Sequence, residues 1–343
     1  MRFHVIGAGA IGGLVGAHLA RAGEDVTLVD ANIEHVAAIR RDGLRIQGAD
    51  DFVVRVPAIT PDELEGPLDV VLFAVKSQHS ATAIAPVAPI LSPDGLVLSM
   101  QNGLESSHIS DAVGPERTFV SLMTFGGNYA GPGVIHFAGR AEFQIGGEDG
   151  RVTPKLEELA DVISRSFQPC TTTHNVMGAH WTKSVIGGVY FATAVMDADV
   201  VDLIDDPRCR AAFRAIVEEC VAIADSTGAV LVPVDGFDPG AFRAGVADEA
   251  GMRESWAQLR AYWMRNEGQT RTGVWRDLAV YRRPTEVDGI VGAMLRIGRE
   301  NGVAAPRLQR VYDLVGQAER EGLTAATGGK DRVLVAIEDV VAR

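Results

Sequence analysis

Six residues near the N-terminus have a spacing that suits phosphate binding. They follow the pattern G-x-G-x-x-G and are Gly7, Ala8, Gly9, Ala10, Ile11 and Gly12. An apolar run at residues 3–7 precedes them, and an Ala- and Leu-rich helical stretch follows. Gly7 then permits a tight turn, Gly9 lets a pyrophosphate approach the backbone, and Gly12 lets helix and strand pack closely. The helix N-terminus offers N–H groups and a positive dipole end to the phosphates. The alternative is a glycine-rich turn without a ligand.

An acidic residue stands where a dinucleotide-binding unit recognises a ribose. Asp30 ends the second apolar run, Asp25–Asp30, and follows Gly7 at about the usual spacing of 20 residues. A carboxylate there accepts hydrogen bonds from the ribose hydroxyls and repels a 2′-phosphate, and the next residues, Ala31 and Asn32, offer that phosphate no cation. We therefore predict NAD as the preferred cofactor, with NADP as the alternative. Asp30 has a second interpretation, as a cap for the helix that begins near Ile33.

Three later segments carry polar side chains beside apolar runs. Asn102 follows a buried strand, Lys183 stands beside Trp181 at the start of a helix, and Glu286 opens a later helix. Reduction of a ketone needs a hydride at carbon and a proton at oxygen. A lysine near the carbonyl can supply the proton, and desolvation lowers its pKa toward the working range. The competing interpretations are a solvated lysine, an ordinary turn at Asn102 and a helix-cap role for Glu286.

The elements that must position these residues change character near residue 176. Before it, strands alternate with helices, and Asp69–Val75 is the near-continuous apolar run of a strand buried on both faces. This predicts a Rossmann-type, doubly wound α/β domain over residues 1–176. After it, helical periodicity prevails, which predicts an all-α substrate and catalytic domain over residues 177–343. We expect the active site in the cleft between the two domains.

Composition excludes several classes of function. The formal net charge of −13 argues against nucleic-acid and anionic-membrane partners. Three cysteines without a CxxC pair argue against a disulfide framework or structural zinc, and the eight histidines form no metal-binding motif. The sequence predicts a cytoplasmic protein without a metal site and without a spanning helix. Apolar helices in the C-terminal half favour a homodimer.

Taken together, the motifs resemble the ketopantoate reductase (2-dehydropantoate 2-reductase) family. The resemblance rests on the GAGAIGG opening, AVKSQ around Lys76, QNG at Asn102, WTK at Lys183 and RPTEVD at Glu286. It implies that Lys183 is the general acid and that Glu286 binds the distal hydroxyl of the substrate. It also implies that Asn102 positions lysine and substrate, and that Lys76 lies beside the cofactor.

The chain departs from the family pattern at positions that would touch the substrate. Gly187 and Phe191 stand where family members carry asparagines, and Asp30 departs from the family's usual NADPH preference. We therefore predict the family reaction on a small 2-oxo acid, 2-dehydropantoate or a related carboxylate or ketone. Arg271 or Arg276 would bind its carboxylate, unless both pair with nearby acids such as Asp277. The alternatives are an NAD-dependent dehydrogenase of a different hydroxy acid or alcohol, and a non-catalytic dinucleotide-binding sensor.

Overall fold

The computed structural model describes residues 1–104, 107–246, 248–265 and 270–339, and the chain divides into two compact units. The N-terminal unit is Met1–Val176 and the C-terminal unit is Met177–Arg343. Cys170, Cys209 and Cys220 are buried and unbridged. Within the described ranges, no helix is long and apolar enough to cross a membrane.

The N-terminal unit is built on an eight-stranded sheet. In chain order its strands are β1 (Arg2–Ile6), β2 (Asp25–Val29), β5 (Ala58–Ile59), β6 (Leu68–Phe73), β7 (Leu91–Ser99), β8 (Thr118–Met123), β11 (Phe143–Gly146) and β12 (Thr171–Thr172). Their order across the sheet is β12-β11-β8-β7-β6-β1-β2-β5, and all neighbours are parallel except β11 and β8. Apolar sequences such as LDVVLF in β6 form its buried centre. This is the predicted doubly wound sheet.

A second sheet of four strands was not predicted. It consists of β3 (Leu44–Gly48), β4 (Phe52–Val54), β9 (Gly126–Gly131) and β10 (Val134–Gly139), in the order β4-β3-β10-β9. The sequence suggested one strand over 52–59, but β4 joins this sheet and β5 joins the main one. Strand β9, GGNYAG, lacks the alternating apolar pattern that identifies strands.

The helices of the N-terminal unit are α1 (Ala10–Arg21), α2 (Ile33–Asp42), α3 (Ser80–Ile84), α4 (Ser107–Val113) and α5 (Pro154–Ser166). Helix α3 is shorter than the predicted helix over 80–90. Pro86 explains this difference, because it has no N–H to donate to the carbonyl oxygen of Thr82 and so cannot continue the helical hydrogen bonding.

The C-terminal unit is helical, as the sequence predicted. Its helices are α6 (Val176–Met196), α7 (Val200–Asp205), α8 (Pro207–Ser226), α9 (Glu249–Arg265), α10 (Gly273–Trp275), α11 (Ala293–Glu300), α12 (Pro306–Glu321) and α13 (Lys330–Glu338). The predicted last helix ran to residue 342, and positions 340–342 lie outside the described residues. Two π-helical segments, Arg276–Tyr281 and Asp288–Gly292, stand on either side of Glu286 in the sequence. Such segments are found frequently at functional sites.

Candidate active site

The predicted cofactor residues follow four strands at one edge of the main sheet. Gly7 follows β1, Asp30 follows β2, Lys76 lies three residues beyond β6, and Asn102 lies three residues beyond β7. These strands are parallel, so their carboxyl ends meet at the same edge. Strand order reverses between β1 and β6, and ligands of such sheets bind at this switch point.

The three glycines of the motif between β1 and α1 are needed for different reasons. Gly7 has a φ of +93°, and a Cβ there would lie 2.9 Å from the backbone nitrogen of Val75. A Cβ on Gly12 would lie 2.1 Å from the carbonyl oxygen of Gly7. By contrast, Gly9 has a φ of −72°, and a Cβ there would meet nothing within 4 Å. The fold itself therefore requires glycine at positions 7 and 12, whereas only a bound ligand would require glycine at position 9.

The start of α1 is suited to an anion. Its N-cap residue is Gly9, which has no side chain to cap the first N–H groups. The space outside Gly9 is open, and the helix dipole favours negative charge there. These features fit the pyrophosphate of a dinucleotide.

His35 of α2 holds this loop from behind. Its ring is buried, and Nδ1 accepts a hydrogen bond from the Gly133 N–H at 2.9 Å. Since that nitrogen accepts, the ring proton is on Nε2, which donates to the Ala8 carbonyl oxygen at 2.9 Å. The neutral imidazole thus ties the glycine-rich loop to the turn before β10. The sequence analysis did not identify this residue.

Asp30 is not the cap of the helix that follows it. The Asn32 side chain accepts from the His35 N–H and caps α2, while Asp30 Oδ1 accepts from the Asn32 N–H at 2.8 Å. Among the described residues, no lysine or arginine forms an ion pair with Asp30 within 4.0 Å. The carboxylate therefore stands at the end of β2 without a cationic partner from the described residues.

Hydrogen bonds join the loops that carry Lys76 and Asn102. Gln101 Nε2 donates to the Val75 carbonyl oxygen at 2.7 Å and lies 2.7 Å from Ser80 Oγ. Lys76 and Asn102 are both half-buried. The structure thus places these two residues on connected loops of the N-terminal unit.

In the C-terminal unit, helix α6 has one open stripe. The helix is buried except at Met177, Lys183, Gly187 and Tyr190. The last three positions are spaced by four and three residues, so they lie on one face. Phe191, predicted to replace a substrate-contacting asparagine, is instead 1% exposed and belongs to the core. The Ile290 side chain packs against Gly187, because its Cγ2 would lie 3.1 Å from a Cβ at this position.

Lys183 lies in an environment that favours loss of its proton. Surrounding protein atoms desolvate the ammonium group and lower its pKa to about 8, although Glu286 and Asp235 both act to raise it. Desolvation therefore outweighs the attraction of two carboxylates. Lys183 and Glu286, which are 103 positions apart in the sequence, thus interact within one unit.

Asp235 lies in the stretch over residues 232–251, which is rich in Gly, Pro and Asp and which the sequence predicts to be a loop-heavy insertion. Thr182 Oγ1 donates to the Val232 carbonyl oxygen at 2.6 Å, and Val234 and Phe237 form a β-bridge around Asp235. Asp235 has a φ of 48°, an uncommon conformation for a residue other than glycine. The bridge holds the carboxylate within electrostatic range of both Lys183 and Tyr190.

Aromatic side chains from α9 also stand beside the stripe. Trp263 Nε1 donates to Tyr190 Oη at 3.0 Å, and the two rings meet edge to face at 5.4 Å. Tyr262 lies next to Trp263 at 6.0 Å. No sequence motif predicts this aromatic cluster, because the cluster depends on the packing of α9 against α6.

The two candidate arginines have different surroundings. Arg271 forms ion pairs with Asp197 and Asp199. This supports the alternative that Arg271 pairs with nearby acids, although these acids are not Asp277. Asp277 pairs with Arg283. Arg276 is half-buried, and desolvation lowers its pKa. In the part of the chain that the structure describes, no carboxylate forms an ion pair with Arg276 within 4.0 Å, and its guanidinium Nη1 donates to the Arg271 carbonyl oxygen at 3.1 Å.

Metal binding has no support in this geometry. Across the described ranges, no group of three or more His, Cys, Asp or Glu side chains is arranged to hold an ion.

Comparisons with known proteins agree with these motifs. Residues 3–150 match the family model described as ketopantoate reductase PanE/ApbA, and residues 175–319 match the model of its C-terminal domain. A 2-dehydropantoate 2-reductase from Halobacterium salinarum is 30% identical over 94% of this chain and 100% of its own length. One from Mesorhizobium japonicum is 26% identical over 92% of this chain and 97% of its own.

Solved structures show the same fold. A PanE/ApbA family ketopantoate reductase from Ralstonia eutropha has a TM-score of 0.79 at 28% identity, covering 94% of this chain and 99% of its own. D-mandelate dehydrogenase with NADH and anilino(oxo)acetate has a TM-score of 0.80 at 22% identity, covering 93% of this chain and 99% of its own. The family models, the relatives and the fold agree: the chain belongs to the ketopantoate reductase family and is an oxidoreductase that uses a nicotinamide cofactor.

Proposed function

We propose that this enzyme reduces the carbonyl group of a small 2-oxo acid, 2-dehydropantoate or a relative of it, with Lys183 as the proton donor. The observation that carries the proposal is the environment of Lys183. Its ammonium lies on the open stripe of a buried helix and has a pKa of about 8. A general acid is most effective when its pKa lies near the working pH, because it is then protonated and still able to release the proton.

The neighbours of Lys183 give it two roles. The ammonium donates a proton from Nζ to the carbonyl oxygen and stabilises the negative charge that develops there. Glu286 and Asp235 keep the lysine protonated near neutral pH, since both raise its pKa. Glu286 also accepts a hydrogen bond from a substrate hydroxyl, the role that the family resemblance implies.

The edge of the parallel sheet would hold the cofactor. The N–H groups at the start of α1 bind the pyrophosphate, Asp30 accepts from the ribose hydroxyls, and Lys76 and Asn102 lie beside the nicotinamide half. When bound, the cofactor supplies the hydride. Asn102 also orients the substrate and Lys183.

We propose NAD(H) as the preferred cofactor because Asp30 would face a 2′-phosphate with like charge. No lysine or arginine pairs with it among the described residues. The test is the ratio of kcat/KM with NADH to that with NADPH. A ratio well above one supports the assignment, and a clear preference for NADPH refutes it.

If the residues of the open stripe determine substrate specificity, we expect the substrate to differ from 2-dehydropantoate. Gly187 offers no side-chain hydrogen-bond donor to the substrate, and the apolar Ile290 side chain packs against it. This favours the second candidate, reversible oxidation of another 2-hydroxy acid. A panel of 2-oxo acids that includes 2-dehydropantoate, followed by NADH absorbance, separates the two. Fast turnover of 2-dehydropantoate alone would remove the second candidate, and no turnover of any 2-oxo acid would refute the proposed function.

We also propose a homodimer. Several apolar side chains of the C-terminal unit face solvent, among them Val230 at 69%, Met264 at 58% and Val280 at 57% exposure. Light scattering after size-exclusion chromatography should give twice the chain mass. The chain mass itself would contradict the expectation.

A further inference from the structure

The hydrogen bond between Trp263 and Tyr190 has only one possible polarity. An indole Nε1–H is a donor and never an acceptor. Tyr190 Oη therefore accepts this bond, at 3.0 Å, and its own hydrogen is directed elsewhere. Among the described residues, no side-chain or backbone acceptor takes that hydrogen. The edge-to-face contact with Trp263, at 5.4 Å and 89°, fixes the ring that carries it.

Tyr190 also shares the open stripe with Lys183 and Gly187. Side chains on a helix generally lean toward its N-terminus, which is the direction from Tyr190 toward Gly187 and Lys183. Gly187 has no side chain of its own, and Ile290 packs beside it. One carboxylate, Asp235, raises the pKa of both Lys183 and Tyr190 and therefore lies within electrostatic range of both groups.

The negative charges around Lys183 restrict where the carboxylate of the substrate can bind. Glu286 and Asp235 already face the ammonium. A substrate carboxylate placed among them would be repelled, whereas a neutral hydroxyl donor about two turns further along α6 offers a hydrogen bond without adding negative charge. Burial and the neighbouring Tyr262 raise the pKa of Tyr190 well above its usual value, so the hydroxyl keeps its hydrogen throughout the working pH range.

We propose that the Tyr190 hydroxyl, oriented by Trp263, donates a hydrogen bond to the carboxylate of the bound 2-oxo acid. This inference rests on the proposed function and specifies how its substrate is held. Tyr190 is then a positioning residue that determines specificity for carboxylates. Trp263 acts through it, because removal of the indole N–H frees the hydroxyl to turn away.

The test compares Tyr190→Phe, Trp263→Phe and the control Tyr281→Phe, which removes a hydroxyl from an exposed tyrosine. The substrate is the 2-oxo acid that wild-type enzyme turns over best. A hydrogen bond to a charged group corresponds to a change in KM of about 10- to 100-fold. We expect that rise for Tyr190→Phe with kcat within about threefold of wild type, a smaller rise for Trp263→Phe, and no change for Tyr281→Phe. Inhibition by the hydroxy-acid product should weaken by the same factors.

Two kinds of result are distinguishable. If wild-type enzyme turns over a 2-oxo acid while Tyr190→Phe keeps its KM and product inhibition, this inference is wrong and the proposed function stands. A fall in kcat with unchanged KM would also overturn it, since it indicates a structural role. Thermal unfolding of each variant verifies folding. If Tyr190→Phe does not fold, an unchanged KM in Trp263→Phe overturns the inference by itself.

Discussion

Replacing Gly9 by alanine should weaken cofactor binding without weakening the fold. The backbone at Gly9 has a φ of −72°, which alanine adopts readily, and an added Cβ meets no atom within 4 Å. Alanine is a poorer N-cap than glycine, so we expect a cost of at most about 1 kcal/mol in the free energy of unfolding. In the proposed complex, the same methyl group would occupy the space of the pyrophosphate. Loss of one charge-assisted hydrogen bond, about 1.5–3 kcal/mol, raises the Kd for NADH about 10- to 100-fold.

Gly12→Ala is the matched comparison, because it should act on the fold first. A Cβ at Gly12 would lie 2.1 Å from the Gly7 carbonyl oxygen and 2.8 Å from the Ala74 Cβ, so backbone must move. Overpacking of this kind costs about 1–3 kcal/mol, or about 2–4 °C in Tm for each kcal/mol. The assays are thermal unfolding without cofactor and calorimetric titration with NADH. Unchanged NADH affinity in Gly9→Ala would refute the assignment of the pyrophosphate to this loop.

Three further predictions concern charge and position. Glu286→Gln removes a carboxylate that raises the pKa of Lys183, so the alkaline limb of the kcat/KM profile for reduction should move to lower pH; an unmoved limb would contradict the pairing. His35→Phe keeps a ring but loses the hydrogen bonds to Ala8 and Gly133, which should raise the KM for NADH about 10-fold with little change in kcat. Asp30→Ala should increase kcat/KM with NADPH relative to NADH, and an unchanged ratio would show that the carboxylate does not contact the ribose.

Much of the N-terminal fold was predictable because local and long-range signals agree there. Apolar runs such as Leu68–Phe73 are buried on both faces, so their sequence reflects the parallel sheet directly. The second sheet was not predictable, because Gly126–Gly131 forms a strand through pairing with β10 rather than through its own propensity. Pro86 is a visible signal for the early end of α3, but the helical spacing of the apolar residues over 80–90 favoured a longer helix.

The candidate site was predictable only in part. Motifs identified Lys183 and Glu286, since both residues lie in short recognisable segments. Asp235, Tyr190 and Trp263 were not identified, because their relation to Lys183 arises from a β-bridged loop and from the packing of α9 on α6. Phe191, eight positions after Lys183, lies at the edge of the face that Lys183, Gly187 and Tyr190 share, so its spacing did not reveal that it packs into the core.

The most direct test of the account is the pH dependence of kcat/KM for reduction in wild-type enzyme and in Lys183→Ala. Wild-type activity should be level below pH 8 and fall as the pH rises through about 8, because Lys183 then loses the proton that it donates. Lys183→Ala should bind NADH normally, lose about 10²–10⁴-fold in kcat and lack this limb. A variant that retains wild-type kcat, or the same fall near pH 8, would show that another group supplies the proton.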